Sequence, residues 1–288
     1  MLHKHGILAN IWLMETSRAA AYLPMVIAWL KGYPLPFEVK TDSDQSRNDL
    51  QLAVKNLSGF ELSEYGYDVA PEDAPEESIA IININGAITK YDQDCGPSGM
   101  VTKGSLLHRC FACDRIKGIV LNIDSGGGSG DAMRHFVAEL GLRNKPVIAF
   151  VSDFAASAAY GIASACDIIV ANNETAEVGS IGTYISLVDY SEKLKKEGIN
   201  LIEVYATSSK DKNSEVREAL KGNFDPLRQR ADHFNNFFLS MVEENRGDKL
   251  KVGREEWGTG KLFYADQALE MGLVDSIDSF HNILNYFV

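Results

Sequence analysis

From residue 79 onward, apolar runs and polar breakers alternate in a regular order. Ile79-Ala80-Ile81-Ile82-Asn83-Ile84 is a β-rich run that stops at the turn pair Asn85-Gly86, the pattern of a buried strand. Gly118 to Ile123 repeats it and closes on Asp124-Ser125-Gly126-Gly127-Gly128. Behind those glycines Met133, Phe136, Val137 and Leu140 recur at helical spacing. A third strand is predicted over Pro146 to Val151, a helix over Ala156 to Ala165 and a fourth strand over Asp167 to Ala171. This order predicts parallel βαβ units. A long helix follows from about Pro226 to Glu244, with Asp225 placed to cap it and Pro226 at its first position. Its stripe of Leu227, Ala231, Phe234, Phe238 and Met241 asks for nothing beyond core packing.

Residues 1–78 read differently. A helix is predicted from about Ile11 to Leu30, ahead of the breakers Gly32-Tyr33-Pro34-Leu35-Pro36. A second, polar helix is predicted over Ser43 to Asn56, with Leu50, Leu52 and Val54 as its apolar positions. Pro71-Glu72-Asp73-Ala74-Pro75-Glu76-Glu77-Ser78 then reads as an acidic, proline-bearing linker. The expected division is an N-terminal, mostly helical extension with its linker over 1–78 and a main α/β domain over 79–288. The longest apolar run, Ala19 to Leu30, falls well short of the roughly 20 residues that a spanning helix needs. It sits behind Glu15 and Arg18 and has no clear cleavage site, so neither a signal peptide nor a membrane anchor is expected. A buried or partner-facing helix is the simpler reading.

Composition narrows the function classes. The 288 residues carry 28 Lys+Arg against 40 Asp+Glu, a net charge of −12, with 45% hydrophobic and 24% charged residues. Those values suit a folded soluble protein and exclude global disorder. The acidic balance argues against a coat on nucleic acid or anionic membrane. Four scattered cysteines suit a reducing, cytoplasmic setting better than a disulfide scaffold. Cys110-Phe111-Ala112-Cys113 lacks the second ligand pair that zinc requires, so it reads as two thiols on a helix. Arg246-Gly247-Asp248 follows a helix, and its glycine reads as a C-cap rather than part of an adhesion motif. No metal and no cofactor are expected.

Three features stand just beyond strand ends, where open parallel sheets place their sites. The triple glycine Gly126–Gly128 suits a backbone cradle for a phosphate or an oxyanion. A plain strand–helix turn fits it equally, and it is neither a dinucleotide fingerprint nor a P-loop. Ser157 stands among Ala155, Ala156, Ala158 and Ala159 at a strand-to-helix turn. Small neighbours leave its hydroxyl open to attack a substrate, while an N-cap role explains the same serine. None of the six histidines is placed to act as its base. A lysine can serve when its surroundings disfavour the charged form. Lys210, in Thr207-Ser208-Ser209-Lys210-Asp211-Lys212-Asn213, is such a candidate, and spacing alone does not separate it from Lys212.

Taken in order, these segments resemble the serine peptidases related to signal peptide peptidase A, and among them the phage capsid-maturation proteases of the lambda protein C type. Ile81 to Ile88 resembles the family's opening strand and turn, and Asp124-Ser125-Gly126-Gly127-Gly128 its Asp/Asn-Ser-Pro-Gly-Gly motif. Ala156-Ser157-Ala158-Ala159-Tyr160 is similar to the nucleophile motif and Gly179-Ser180-Ile181-Gly182 to the Gly-Ser-Ile-Gly motif. Ser209-Lys210-Asp211 resembles the catalytic lysine segment, and Ala265 to Asp275 the closing helix and strand. The resemblance covers about residues 79–277.

The resemblance implies a Clp protease/crotonase-like fold, a repeated ββα spiral. It implies Ser157 as nucleophile, Lys210 as general base and Ser180 as the hydroxyl that orients the lysine. The N–H groups of Ala158 and of Gly127 or Gly128 would form the oxyanion hole. It also implies a homo-oligomer in which one chain's serine can meet a neighbour's lysine. The activity implied is a serine endopeptidase acting on scaffold, capsid or portal segments of a phage or prophage head. A soluble cellular enzyme that degrades peptides, or an inactive scaffold of the same fold, are the other readings. A related acyl-CoA enzyme would need a CoA pocket that these motifs do not call for. Gly126 stands where the family has proline, which removes a φ constraint from the glycine loop. Ala158 and Ala159 stand where many cellular members have glycines.

Overall fold

The apolar runs become the middle strands of one mixed sheet. The computed structural model describes residues 12–14, 49–56, 59–62, 70–93, 96–187, 189, 191–200 and 202–287. In chain order the first elements are β1 (Trp12–Met14), β2 (Leu50–Asn56), β3 (Gly59–Leu62), β4 (Ser78–Asn85), α1 (Met100–Ala112), β5 (Ile116–Ser125) and β6 (Gly127–Ser129). Next come α2 (Gly130–Leu140), β7 (Val147–Ala156), α3 (Ala158–Ser164), β8 (Ile168–Ala171) and β9 (Glu177–Gly179). The last are α4 (Ser191–Lys196), α5 (Ser214–Ala219), α6 (Asp225–Arg246), α7 (Arg254–Trp257), β10 (Leu262–Tyr264), α8 (Ala265–Met271), β11 (Ser276–Ile277) and α9 (Phe280–Ile283).

Among the described residues the sheet has nine strands, in the order β10-β9-β7-β5-β4-β2-β3, with β8 beside β7 and β11 beside β8. The pairs β4–β5, β5–β7, β7–β8 and β7–β9 are parallel, as the alternation predicts. Strand β7 divides its outer edge. Ile148 to Val151 face β8, and Phe154 to Ala156 face β9. That fork turns the sheet at its middle and carries the end of β7 toward Gly179. Alternate residues of β4 show why the run is apolar throughout. Ile82 and Ile84 join the larger core with Leu121, Ile123, Met133, Phe136 and Tyr160, whereas Ile79 and Ile81 join a smaller one with Val120, Phe150 and Ile283. Both faces are covered, so neither alternates with polar residues.

The α/β architecture is the one expected, and the N-terminal part departs from expectation. Leu50–Asn56 is a strand that pairs antiparallel with β4 and β3, in place of the end of a polar helix. Leu50, Leu52 and Val54 are two apart, which is strand spacing, and Leu50 and Leu52 are buried. Trp12–Met14, expected as the start of a helix, is a strand paired antiparallel with Gly127–Ser129. The rest of the expected helix to Leu30, and residues 43–48 of the second, lie outside the described residues. Where the extension was expected to be mostly helical, its described residues therefore supply three strands and a short turn at Pro71–Asp73.

Helix α6 starts at Asp225 and Phe224 occupies the cap position, so Asp225 is not the cap. Its stripe is buried only toward the C-terminal end, at Phe238 and Met241. Gly247 closes it as expected by donating to Glu243, and the adjoining Arg246 is buried. Among the described residues no helix is long and apolar enough to cross a membrane.

Candidate active site

Strand β7 ends at Ala156 and α3 begins at Ala158, so the whole turn between them is Ser157. A one-residue reversal forces an uncommon backbone, and Ser157 has φ 57° and ψ −119°. Such a conformation in a residue with a side chain costs of order 1–3 kcal/mol and persists only where its surroundings fix it. Two hydrogen bonds do so: Ser157 N–H donates to the Gly179 carbonyl at 2.7 Å, and the Ser157 carbonyl accepts from Gly161 N–H at 2.9 Å. The hydroxyl makes no capping bond to the helix. The N-cap explanation for this serine therefore fails, and the side chain is left for another use. Ser157 is only 2% exposed.

Every residue of α3 is buried. Tyr160, three residues beyond Ser157, donates its hydroxyl to the Leu273 carbonyl at 2.8 Å. Burial pushes the Tyr160 pKa up, so the group stays a neutral donor. As the first helical residue, Ala158 has an N–H without an intrahelical acceptor. It lies directly beside Ser157, where an oxyanion donor would stand if that serine attacked a carbonyl.

The glycine loop meets α3 from the other side, with β6 packed against the helix. Ser125 pairs with Ala155 across β5 and β7, which brings the loop to the end of β7. The Ser125 hydroxyl donates to Gly86 at 2.6 Å and accepts from Gly127 N–H at 3.1 Å. Gly127 N–H thus already has an acceptor. Ile88 N–H donates to the Gly127 carbonyl at 2.9 Å, and Ser129 N–H donates to the Ile88 carbonyl at 2.8 Å. In an extended strand successive residues face opposite edges, so Gly128 turns its own N–H and C=O away from Ile88. A Cβ on Gly128 would stand 2.2 Å from the Ile88 carbonyl oxygen. The loop can approach Ile88 this closely only because that residue is glycine.

Ser180 follows the acceptor of the Ser157 N–H. Its φ is 49°, and its N–H donates to the Lys261 carbonyl at 2.6 Å. Register places Ala156 opposite Gly179, so the ends of β7 and β9 bring Ser157 and Ser180 together. Lys210 stands apart. It is exposed, on a loop fastened by Arg217, whose guanidinium donates to the Lys210 carbonyl at 2.6 Å. Arg217 also lies over the Tyr205 ring, 4.5 Å from its centre. The Lys210 amine has no hydrogen bond or ion pair among the described residues, and none joins it to Ser157. Within one chain the structure gathers Ser157, Ser180, Ala158 and the glycine loop, and no described bond adds Lys210 to them.

No described histidine bonds to Ser157. His108 and His135 instead face Glu139. The sequence reading passed over the positioning role of Ser125, although that serine stood inside the motif. It also passed over the buried pair of Lys103 with Asp49, where burial pulls the lysine pKa down and Asp49 opposes it.

Comparison with known proteins gives this geometry a family. "Protease 4" of Haemophilus influenzae is 29% identical over 210 residues, spanning 72% of this chain and 34% of that protein. A "Putative signal peptide peptidase SppA" of Enterococcus faecium is 26% identical over 254 residues, 82% of this chain and 70% of that protein. "Head-tail preconnector protein GP5" of Enterobacteria phage P21 is 29% identical over 207 residues, 69% of this chain and 40% of that protein. The chain thus spans about a third of the Haemophilus protein's length and two fifths of the phage protein's. The model of peptidase family S49 matches residues 140–287, more than half of the 288 residues, and Ser157, Ser180 and Lys210 all fall within the match. The chain belongs to peptidase family S49.

Proposed function

We propose that this protein is a serine endopeptidase whose nucleophile is Ser157, with Lys210 of a neighbouring copy as its base. The carrying observation is the one-residue turn at Ser157, whose hydroxyl caps nothing and stands next to the first residue of α3, a helix against which the glycine strand β6 packs. In the reaction the Ser157 oxygen bonds to the substrate carbonyl carbon as its proton passes to the neutral lysine amine. The negative charge on the carbonyl oxygen is met by Ala158 N–H and, on the loop side, Gly128 N–H, because Gly127 N–H is engaged by Ser125. Collapse breaks the peptide C–N bond and the lysine returns the proton to the departing amine. Water, deprotonated by the same lysine, then releases the acyl group from Ser157. Ser180, next to the Gly179 that holds the Ser157 N–H, supplies in this reading the hydroxyl that orients the incoming amine.

The shared site is supported by the surface around Lys210. Ile202 is 82% exposed and Val204 90%, and Leu187, Ile199, Val216, Leu220 and Phe224 are exposed as well. So much exposed apolar surface along residues 187–224, the stretch that carries Lys210, suits a face that another protein covers. A second copy placed there would bring Lys210 to its neighbour's Ser157 and exclude water from the pair. Residues 79–288 form the catalytic domain in this reading, with the β2–β3 hairpin added to the edge of its sheet. The phage relative's name favours a head protein as substrate, a segment of scaffold, capsid or portal. The Enterococcus relative, matched over more of its length, keeps a peptide-degrading cellular role as the second reading.

Mixing two inactive chains tests the shared dyad. Ser157→Ala and Lys210→Ala chains are each expected to be inactive alone. Unfolded and refolded together, they regain activity at about a quarter of the sites if serine and lysine come from different copies. No recovery, with mixed oligomers present, would contradict the sharing, and an active Lys210→Ala chain would remove the lysine from the mechanism.

A further inference from the structure

Strand β6 has two edges. Ile88 takes one, through the bonds to the Gly127 carbonyl and the Ser129 N–H. β6 packs against α3, the helix that follows Ser157, and by alternation Gly128 turns its N–H and C=O to the other edge. This is the edge on which an extended peptide can add a strand and bring a carbonyl to Ser157. The chain already fills it: Trp12 pairs with Ser129, Leu13 with Gly128 and Met14 with Gly127, antiparallel. Because Gly128 faces this edge, the residue opposite, Leu13, exchanges both ladder bonds with it. The Gly128 N–H assigned to the oxyanion therefore meets a backbone carbonyl of the chain's own N-terminal segment.

We propose that residues 12–14 are an internal competitor of the peptide substrate, a strand that must leave β6 before a substrate can bind. This rests on the reading of Ser157 and the glycine loop as a peptidase site. Among the described residues β1 pairs only with β6, and neither belongs to the nine-stranded sheet. Two-stranded pairing of this length is marginal by itself, so a substrate longer by a few residues can displace it. Regulation follows directly. Whatever draws residues 12–14 away, such as assembly, a partner or cutting of the segment, raises activity without altering the catalytic groups.

The test uses the full-length chain carrying Ser157→Ala, which binds peptide without cutting it. The probe is a fluorescein-labelled synthetic peptide copying residues 9–18, followed by anisotropy. Leu13→Pro removes the N–H that bonds to Gly128 and opens the edge, whereas Leu13→Thr keeps that N–H. If β1 holds the edge about nine-tenths of the time, the proline variant binds the probe about tenfold more tightly than its parent. The threonine variant binds like the parent. Circular dichroism and the melting temperature report that the proline chain is folded, and Leu13→Gly, which loosens the strand through its backbone freedom, serves in its place if it is not. Equal affinity of folded proline and parent chains, or binding by neither, overturns the proposal. If Ser157→Ala has abolished peptidase activity, that result leaves the nucleophile reading standing. Activity retained in Ser157→Ala would instead strike the reading on which the proposal rests.

Discussion

The Ser157 N–H and the Gly179 carbonyl, 2.7 Å apart, tie the turn at Ser157 to the strand that leads into Ser180. Gly179 can accept this bond because its φ of 115° is open to glycine, and a Cβ there would come within 2.7 Å of the Lys261 carbonyl oxygen. Gly179→Ala is therefore expected to lower stability by about 1–3 kcal/mol and to cut kcat more than it changes KM. Denaturant melts and steady-state kinetics check both. An alanine chain with wild-type stability and kcat would show that this tie does not position the turn.

Arg246 and Asp275 form the other fixed point behind α3. The buried guanidinium bonds to both carboxylate oxygens, at 2.9 and 3.1 Å, and twice to the Gly272 carbonyl. Asp275 also accepts from Ile169 N–H at 2.7 Å. Desolvation alone would raise the Asp275 pKa, but the Arg246 and Ile169 hydrogen bonds outweigh it and leave it lowered. A lowered folded pKa gives stability that is present above the unfolded value and lost as pH falls through the folded one. Arg246→Met leaves a carboxylate without its main partner and is expected to cost about 3–5 kcal/mol near neutral pH. The loss shrinks as pH drops below the ordinary carboxylate range of about 4. A penalty independent of pH between 7 and 3 would contradict this.

Arg217 holds the loop of Lys210 by the carbonyls of Lys210 and Lys212 and by the face of Tyr205. It touches no group in the reaction and is a positioning residue. Arg217→Ala is expected to lower kcat about ten- to a hundredfold with little change in KM, since a misplaced base costs the chemical step. Unchanged kcat would show that the loop is set by other contacts.

Burial pushes the Cys110 thiol up to about 12 and the wholly buried Cys166 thiol higher still. Neither presents a thiolate at pH 8, so iodoacetamide should leave both unmodified in the folded protein and label them after unfolding. Cys113, half-buried at the end of α1, is expected to react first of these three. Peptide mass spectrometry reads the order, and rapid labelling of Cys110 would contradict it.

Strands β4, β5, β7 and β8 could be read from sequence because each run is apolar and ends in its own breakers, whereas the glycines of β6 read as a loop. Ser157 stood out for the same reason, small residues around one hydroxyl at a predicted turn. Leu50, Leu52 and Val54 carried a strand's spacing, but their polar neighbours drew the reading toward a helix. Trp12–Met14 gave no local sign at all, since its partner Gly128 lies more than a hundred residues away. The same distance hides Tyr160 with Leu273, and a separation of 29 residues hides Arg246 with Asp275. Lys210 shows a different limit: its motif marks the residue, while in the proposed reading its serine belongs to another copy.

The most direct measurement is kcat/KM of the full-length protein on a cleavable peptide, wild type beside Ser157→Ala, with matched melting temperatures. Loss of the nucleophile should lower kcat/KM by about 10⁴-fold or more, since the remaining groups cannot replace covalent attack. A folded Ser157→Ala chain within tenfold of wild type would contradict the assignment of Ser157.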